Sequence, residues 1–191
     1  MTKLWIAADE SNVGLDPEFY SMICTTNSGY DKKVRFEDYE KDPNQLQAII
    51  RAGSQGKLRY MILPIHRREI PVSNHSKLVI ATDFLIRQCL QRIQRPKKYD
   101  QIQVFLDGKV DLEEKNWLRK KMRNLPYFYG NLERVSINDF PKEKYIEPKK
   151  GQLRGKGIQP LLLVYAHIIA NHGSNFITLP TSFNEEHHTL R

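Results

Sequence analysis

Apolar positions along the chain fall into short continuous runs alternating with stretches of helical spacing. Leu4-Trp5-Ile6-Ala7-Ala8 is a run of strand length that meets Asp9-Glu10, and a run of this kind reads as a buried strand. Asn12, Gly14 and Asp16-Pro17 then crowd into seven positions and predict a turn. Phe19 to Thr26 is rich in aromatic and β-branched residues and is expected to pair with the first strand as a hairpin. Asp42-Pro43 opens a short helix through Leu46, Ile49 and Ile50, which Gly53 ends. Leu58 to Ile65 predicts a third strand, in which Pro64 argues against a central ladder position.

The second half is more regular. Leu78, Ala81, Phe84, Leu85, Cys89 and Ile93 recur at helical spacing between a Ser73 or Asn74 cap and Pro96. Gln101 to Leu106 alternates as a strand and stops at Asp107-Gly108. Asp111 and Glu114 have the spacing of a capping box, so a helix is expected from there to about Asn124. Leu132 to Ile137 reads as a further strand. Ile158 to Asn171 reads as a buried helix, with Pro160 in its first turn and Gly173 past its end. A hairpin followed by alternating strands and helices predicts an α/β domain with a mixed sheet and helices on its faces. At 191 residues the chain suits one domain, 1–191, with 174–191 as a C-terminal extension.

Composition narrows the class. With 40% hydrophobic and 27% charged residues, disordered and low-complexity classes are excluded. The longest apolar stretch, Leu161 to Ala170, includes Tyr165 and His167 and is about half of what a membrane span needs. The opening residues run straight into the first strand with no signal-peptide cleavage region, and Cys24 and Cys89 both lie in apolar surroundings. These features lead one to expect reduced core thiols and a cytoplasmic protein with no membrane association. The net charge of +8 is uneven: residues 1–50 hold 5 Lys/Arg against 9 Asp/Glu, and residues 51–160 hold 24 against 11. An acidic front joined to a basic middle permits nucleic acid as a partner.

The chemistry-bearing feature is that two predicted strands end in acids, Asp9 and Asp107. Neighbouring strands would set these carboxylates side by side, where they repel unless a cation neutralises them. Oxygen ligands favour Mg²⁺ or Mn²⁺, and such ions serve phosphodiester cleavage. Asp9 and Asp107 are therefore the candidate metal ligands. Glu10 joins them as a catalytic candidate if the strand breaks there, and turns to the opposite face if the strand continues.

Ala7-Ala8-Asp9-Glu10-Ser11-Asn12-Val13-Gly14, the Phe105-Leu106-Asp107-Gly108 strand end and Gly157-Ile158-Gln159-Pro160-Leu161-Leu162 together resemble a widespread, poorly characterised prokaryotic family. Its members open with a strand ending in Asp-Glu-Ser-Gly and close with a helix beginning Leu-Gln-Leu-Ala-Asp. Type 2 RNase H is a more distant cousin, although its Gly-Arg-Gly substrate loop has no counterpart at Asn12-Val13-Gly14. The resemblance implies an RNase H-like α/β fold, a mixed sheet flanked by helices, and a Mg²⁺- or Mn²⁺-dependent nuclease acting on DNA, RNA or a hybrid. It also implies an acid on the last helix, and that position falls on Leu162. Gln159, three residues earlier, is then the auxiliary ligand candidate, and His167, about 140° round the helix from Leu162, is poorly placed to substitute. Asp139 or Glu147 could supply an acid from a loop, although nothing in the sequence argues for either. Without an acid at Leu162 the outcomes are a working site with a different ligand, a one-metal site, or an inactive domain of the same fold that binds nucleic acid or a protein partner.

The basic residues provide candidate phosphate contacts. Lys109 sits two residues after Asp107, Arg119, Lys120 and Arg123 form a basic helix surface, and Lys149, Lys150, Arg154 and Lys156 lie in a glycine-rich loop. His66-Arg67-Arg68 follows the third strand, and Tyr127-Phe128-Tyr129 reads either as a base-stacking patch or as a hydrophobic plug.

Overall fold

The computed structural model describes residues 1–11, 13–66, 74–91, 98–140 and 157–173. Five strands, β1 (Lys3–Ser11), β2 (Glu18–Thr25), β4 (Arg59–Ile65), β5 (Gln101–Leu106) and β6 (Val135–Asp139), form one mixed sheet in the order β4-β2-β1-β5-β6. β2 is antiparallel to both β1 and β4, whereas β5 is parallel to β1 and β6 is parallel to β5. Pro64 is accommodated because β4 is an edge strand, where a missing N–H need not cost a ladder bond. Helices lie on both faces: α3 (Lys77–Gln91) and α4 (Leu112–Arg123) on one, α2 (Asn44–Ser54) and α5 (Leu161–Asn171) on the other. This is the α/β architecture, a mixed sheet flanked by helices, that the sequence leads one to expect.

Side-chain alternation along β1 divides the core in two. Leu4, Ile6 and Ala8 pack with Leu78, Leu85 and Ile86 of α3 and Leu118 and Met122 of α4. Trp5 and Ala7 pack with Ile49 of α2 and with Leu162, Val164 and Ile169 of α5. α5 is buried almost all round, which is why its sequence carries no polar stripe. Its burial is completed by a two-stranded sheet, β3 (Lys33–Arg35) with β7 (Ile158–Pro160), and by the one-and-a-half-turn helix α1 (Phe36–Glu40). α4 begins with the expected capping box, Asp111 accepting from the Glu114 N–H and the Glu114 carboxylate accepting from the Asp111 N–H. The buried thiols Cys24 and Cys89 face each other across β2 and α3, Sγ to Sγ 3.4 Å, without a disulfide between them.

Several boundaries depart from the sequence expectation. β1 does not stop at Asp9 but continues through Ser11, because hairpin pairing with β2 extends to Ser11 opposite Phe19. Leu132–Arg134 is a turn of 3-10 helix, so β6 starts only at Val135. The last helix begins at Leu161, not Ile158. Residues Ile158 to Pro160 pair with Arg35 to Lys33, and Pro160 is the extended cap ahead of the helix. β3, β7 and α1 were not expected at all.

Candidate metal centre

β1 and β5 run parallel in a register that sets Ala8 beside Leu106, and the Asp107 N–H still donates to the Ala8 carbonyl at 3.1 Å. Asp9, two residues before the end of β1, and Asp107, the first residue after β5, therefore lie side by side near the carboxyl ends of adjacent parallel strands, the place where open α/β sheets form ligand crevices. Gly108 follows with φ +148, so the chain can turn off the sheet directly after the second acid. Both carboxylates project to the α5 side and are buried, with 2% and 3% of their surface exposed.

The third member comes from α5. His167 Nδ1 lies 2.6 Å from Asp9 Oδ2 and 3.8 Å from Asp107 Oδ2. The ring packs edge-on against buried Phe36 with centroids 4.9 Å apart. One residue earlier, the Ala166 carbonyl accepts the buried Ser21 hydroxyl at 2.7 Å, tying α5 to β2. On its far side, His167 Nε2 meets Asn171 Nδ2 at 2.7 Å and Glu40 Oε1 at 3.4 Å, while Asn171 Oδ1 accepts from the Ser11 hydroxyl at 2.9 Å. Asp9 Oδ1 accepts the Glu10 N–H at 2.7 Å, which fixes the carboxylate rotamer.

Two buried carboxylates in contact with one imidazole form a donor set that calls for a cation, since two like charges buried side by side repel unless a cation neutralises them. Asp9, Asp107 and His167 each offer one ligand atom, and these lie within 4.8 Å of one another. Metal–ligand bonds of about 2.1 Å place neighbouring ligand atoms of an octahedral ion roughly 3 Å apart. The 2.6 and 3.8 Å separations bracket that value. The residues present thus fit a divalent cation.

The sequence-based reading of α5 requires correction. Leu162 is fully buried in the core and is not the helix position facing the acids. His167 occupies that position, so the side of α5 that faces the acids is set by His167 and not by Leu162. Gln159 is buried but lies in β7 opposite Val34, so helical spacing does not relate it to the centre. Because β1 continues past it, Glu10 turns to the α3 face beside Tyr20. There the Tyr20 hydroxyl donates to Glu18 and its pKa is pushed up, first by burial, then by that bond and by the nearby charges of Glu10 and Glu18. Asp139 also serves the opposite face. It bonds Lys115 Nζ at 2.7 Å and accepts the Val110 N–H; burial pushes its carboxyl up, but these contacts outweigh burial and hold it below the ordinary value.

Lys109 is exposed two residues beyond Asp107. Lys120 and Arg123 are exposed on α4, across the sheet from α5, while the Arg119 guanidinium bonds the Val135 carbonyl and the Asn116 side chain. His66 pairs with Asp16 at 2.9 Å in the β1–β2 connection. Phe128 packs against the core, and Tyr129 stays exposed under Lys98 Nζ. Arg67, Arg68, Glu147, Lys149, Lys150, Arg154, Lys156 and the 174–191 extension lie outside the described residues. Among the described residues, no helix is long and apolar enough to cross a membrane.

No known protein family matches the sequence, and no curated protein aligns with it. Solved structures do align. A chain of the PCNA:RNase HII complex from Archaeoglobus fulgidus is 14% identical, with a TM-score of 0.47 over 97% of this chain and 83% of that one. Ribonuclease H2 from Pyrococcus horikoshii OT3 is 15% identical, with a TM-score of 0.47 over 87% of this chain and 70% of that one. Bst-RNase HIII in complex with Mn²⁺ is 14% identical, with a TM-score of 0.42, and this chain spans about half of it, 51%.

Proposed function

We propose that this chain is a divalent-metal-dependent nuclease of RNase H-like type that hydrolyses phosphodiesters at the Asp9–Asp107–His167 centre. The observation that carries the reading is the convergence of these three side chains, from two parallel strands and a separate helix, in a buried cluster at the strand ends. Asp9 and Asp107 would hold Mg²⁺ or Mn²⁺ from the sheet, and His167 from α5. The chemistry that such an ion supplies when bound is polarisation of the scissile phosphate and activation of water. The backbone ladder fixes the spacing of the acids, and their burial keeps bulk water from screening the charge they concentrate.

Exposed Lys109 lies near enough in sequence to Asp107 to meet a phosphate of DNA, RNA or a hybrid. The sequence-predicted Lys149, Lys150, Arg154 and Lys156 would hold more distant phosphates without reading sequence, whereas Lys120 and Arg123 lie on α4 across the sheet from the centre. Glu10 acts through its N–H on Asp9 and not as a ligand. The inactive-domain alternative drew its support from Leu162, and that residue is a core position.

The test is cleavage of labelled single-stranded, double-stranded and hybrid substrates in Mn²⁺ by wild type, Asp9→Asn, Asp107→Asn and His167→Ala. Cutting by wild type that falls at least 100-fold in each variant is expected. Persistent cutting by Asp107→Asn would overturn the assignment of the centre, and no cutting alongside salt-dependent retardation of the oligonucleotides would overturn the nuclease reading.

A further inference from the structure

The two nitrogens of His167 face different chemistry, and this bears on how the ring enters the centre. Nδ1 points at Asp9 and Asp107, and Nε2 points at Asn171 and Glu40. As arranged, the Asn171 amide nitrogen approaches Nε2 while its oxygen accepts the Ser11 hydroxyl. Nε2 is then an acceptor, and Nδ1–H donates to Asp9. A metal ligand needs the opposite tautomer, with the Nδ1 lone pair directed at the ion and the proton on Nε2. That N–H needs an acceptor outside the centre, and two are at hand. Glu40 Oε1 lies 3.4 Å away, and the Asn171 amide, whose NH₂ would otherwise face this N–H donor to donor at 2.7 Å, turns over so that its oxygen faces Nε2 and its NH₂ donates to the Ser11 hydroxyl oxygen.

Resting on the metal-centre reading above, we propose that Glu40 is a positioning residue that accepts the His167 Nε2–H, presents Nδ1 as a nitrogen ligand and so gives the centre a preference for Mn²⁺ over Mg²⁺. Chain logic supports the assignment. Glu40 is the last residue of α1, the helix whose first residue, Phe36, packs on the same imidazole, so one short element holds both the ring plane and its outer nitrogen. The selectivity follows from the donors. Mg²⁺ is served by oxygen ligands and accepts nitrogen reluctantly, while Mn²⁺ tolerates one imidazole among carboxylates. Ordering an imidazole through its outer N–H typically changes metal affinity 10- to 100-fold.

Calorimetric titration of the full chain with Mn²⁺ and, separately, Mg²⁺ tests this in wild type, Glu40→Ala, Glu40→Gln, His167→Ala and the Glu40→Ala/His167→Ala pair. Glu40 is exposed at the end of a short helix, so these variants should keep the fold, which thermal unfolding without metal checks. Glu40→Ala should weaken Mn²⁺ about tenfold and Mg²⁺ by less than threefold. Glu40→Gln, still an acceptor, should recover part of the loss, and Glu40→Ala should add nothing once His167 is gone. Equal weakening of both ions, or additivity with His167→Ala, would mean that Glu40 acts as a general charge or a direct ligand and would overturn the proposal. Unchanged Mn²⁺ binding in Glu40→Ala, with wild type binding normally, would overturn this proposal alone. Failure of wild type to bind either ion would overturn the metal-centre reading and this proposal with it.

Discussion

Replacing Asp107 with Asn is expected to make the metal-free protein more stable and the metal-loaded protein comparatively less stable. The ligand oxygens of Asp9 and Asp107 lie within 4.8 Å of one another, and at an effective dielectric near 20 that separation costs roughly 3 kcal/mol of repulsion. His167 offsets part of this, but its short contact, 2.6 Å, goes to Asp9, whereas Asp107 is 3.8 Å away. Neutralising Asp107 removes the repulsion and leaves the shorter bond in place. Setting about 1 kcal/mol for the hydrogen bonding that the carboxylate loses against that gain leaves a net stabilisation of about 1–2 kcal/mol, or roughly 4 °C in midpoint for a chain of this size. Mn²⁺ at a hundred times its dissociation constant adds about 2.7 kcal/mol to wild type, and the variant, lacking a ligand, gains little. Thermal unfolding of both proteins in EDTA and in Mn²⁺ should therefore give opposite stability orders. A variant less stable than wild type in EDTA, or the same order in both conditions, would refute the reasoning.

Other expectations are more local. Burial pushes the Glu18 carboxyl up, but hydrogen bonds from Lys77, the Tyr20 hydroxyl and the Gly14 N–H outweigh it and hold the pKa below the usual carboxylate value. A group depressed on folding stabilises above its unfolded pKa, and that contribution is lost as pH falls through the folded value. Lys77 is about a third exposed, so Lys77→Met should cost about 1–2 kcal/mol at pH 7, and urea unfolding should find the cost shrinking below about pH 4. Leu162→Asp places a carboxylate in the core beneath α5 and should cost about 4 kcal/mol with no gain in Mn²⁺ affinity by calorimetry. The hydrogen bond with Cys89, together with burial, pushes the Cys24 thiol well up. Neither thiol should react with a chromogenic disulfide reagent in the native protein at pH 8, and both should react in urea.

The strands and their acids were readable because each depends on short-range pattern: an apolar run ending in Asp, a hairpin turn, a capping box. The small β3–β7 pair was not, because three residues of Lys-Val-Arg and three of Ile-Gln-Pro carry no periodicity. Only their pairing across more than a hundred residues makes them strands. That pairing also moved the start of α5 and removed Gln159 from the helix. His167 is not legible from the family resemblance, which puts the facing side of α5 at Leu162. A residue-level signal did exist: His167 is the one strongly polar side chain between Leu161 and Ala170, and Asn171 recurs four positions later on the same face. A polar group on a helix that is otherwise apolar all round has a reason to be there, and here the reason is the pair of acids on the sheet.

The three donors are not held by equal means. Asp9 and Asp107 directly follow Ala8 and Leu106, the last pair of one parallel ladder, and the Asp107 N–H bonds the Ala8 carbonyl, so their spacing is inherited from the backbone. The donor on α5 is attached to that frame through side-chain packing and through side-chain hydrogen bonds, Ser21 to the Ala166 carbonyl, Ser11 to Asn171 and the contact of His167 itself with Asp9. The centre is thus a rigid two-oxygen socket with an interchangeable third arm. Substitution at position 167 alone should retune which ion the protein accepts while leaving the socket unchanged, a route by which one scaffold can diverge in metal preference one residue at a time.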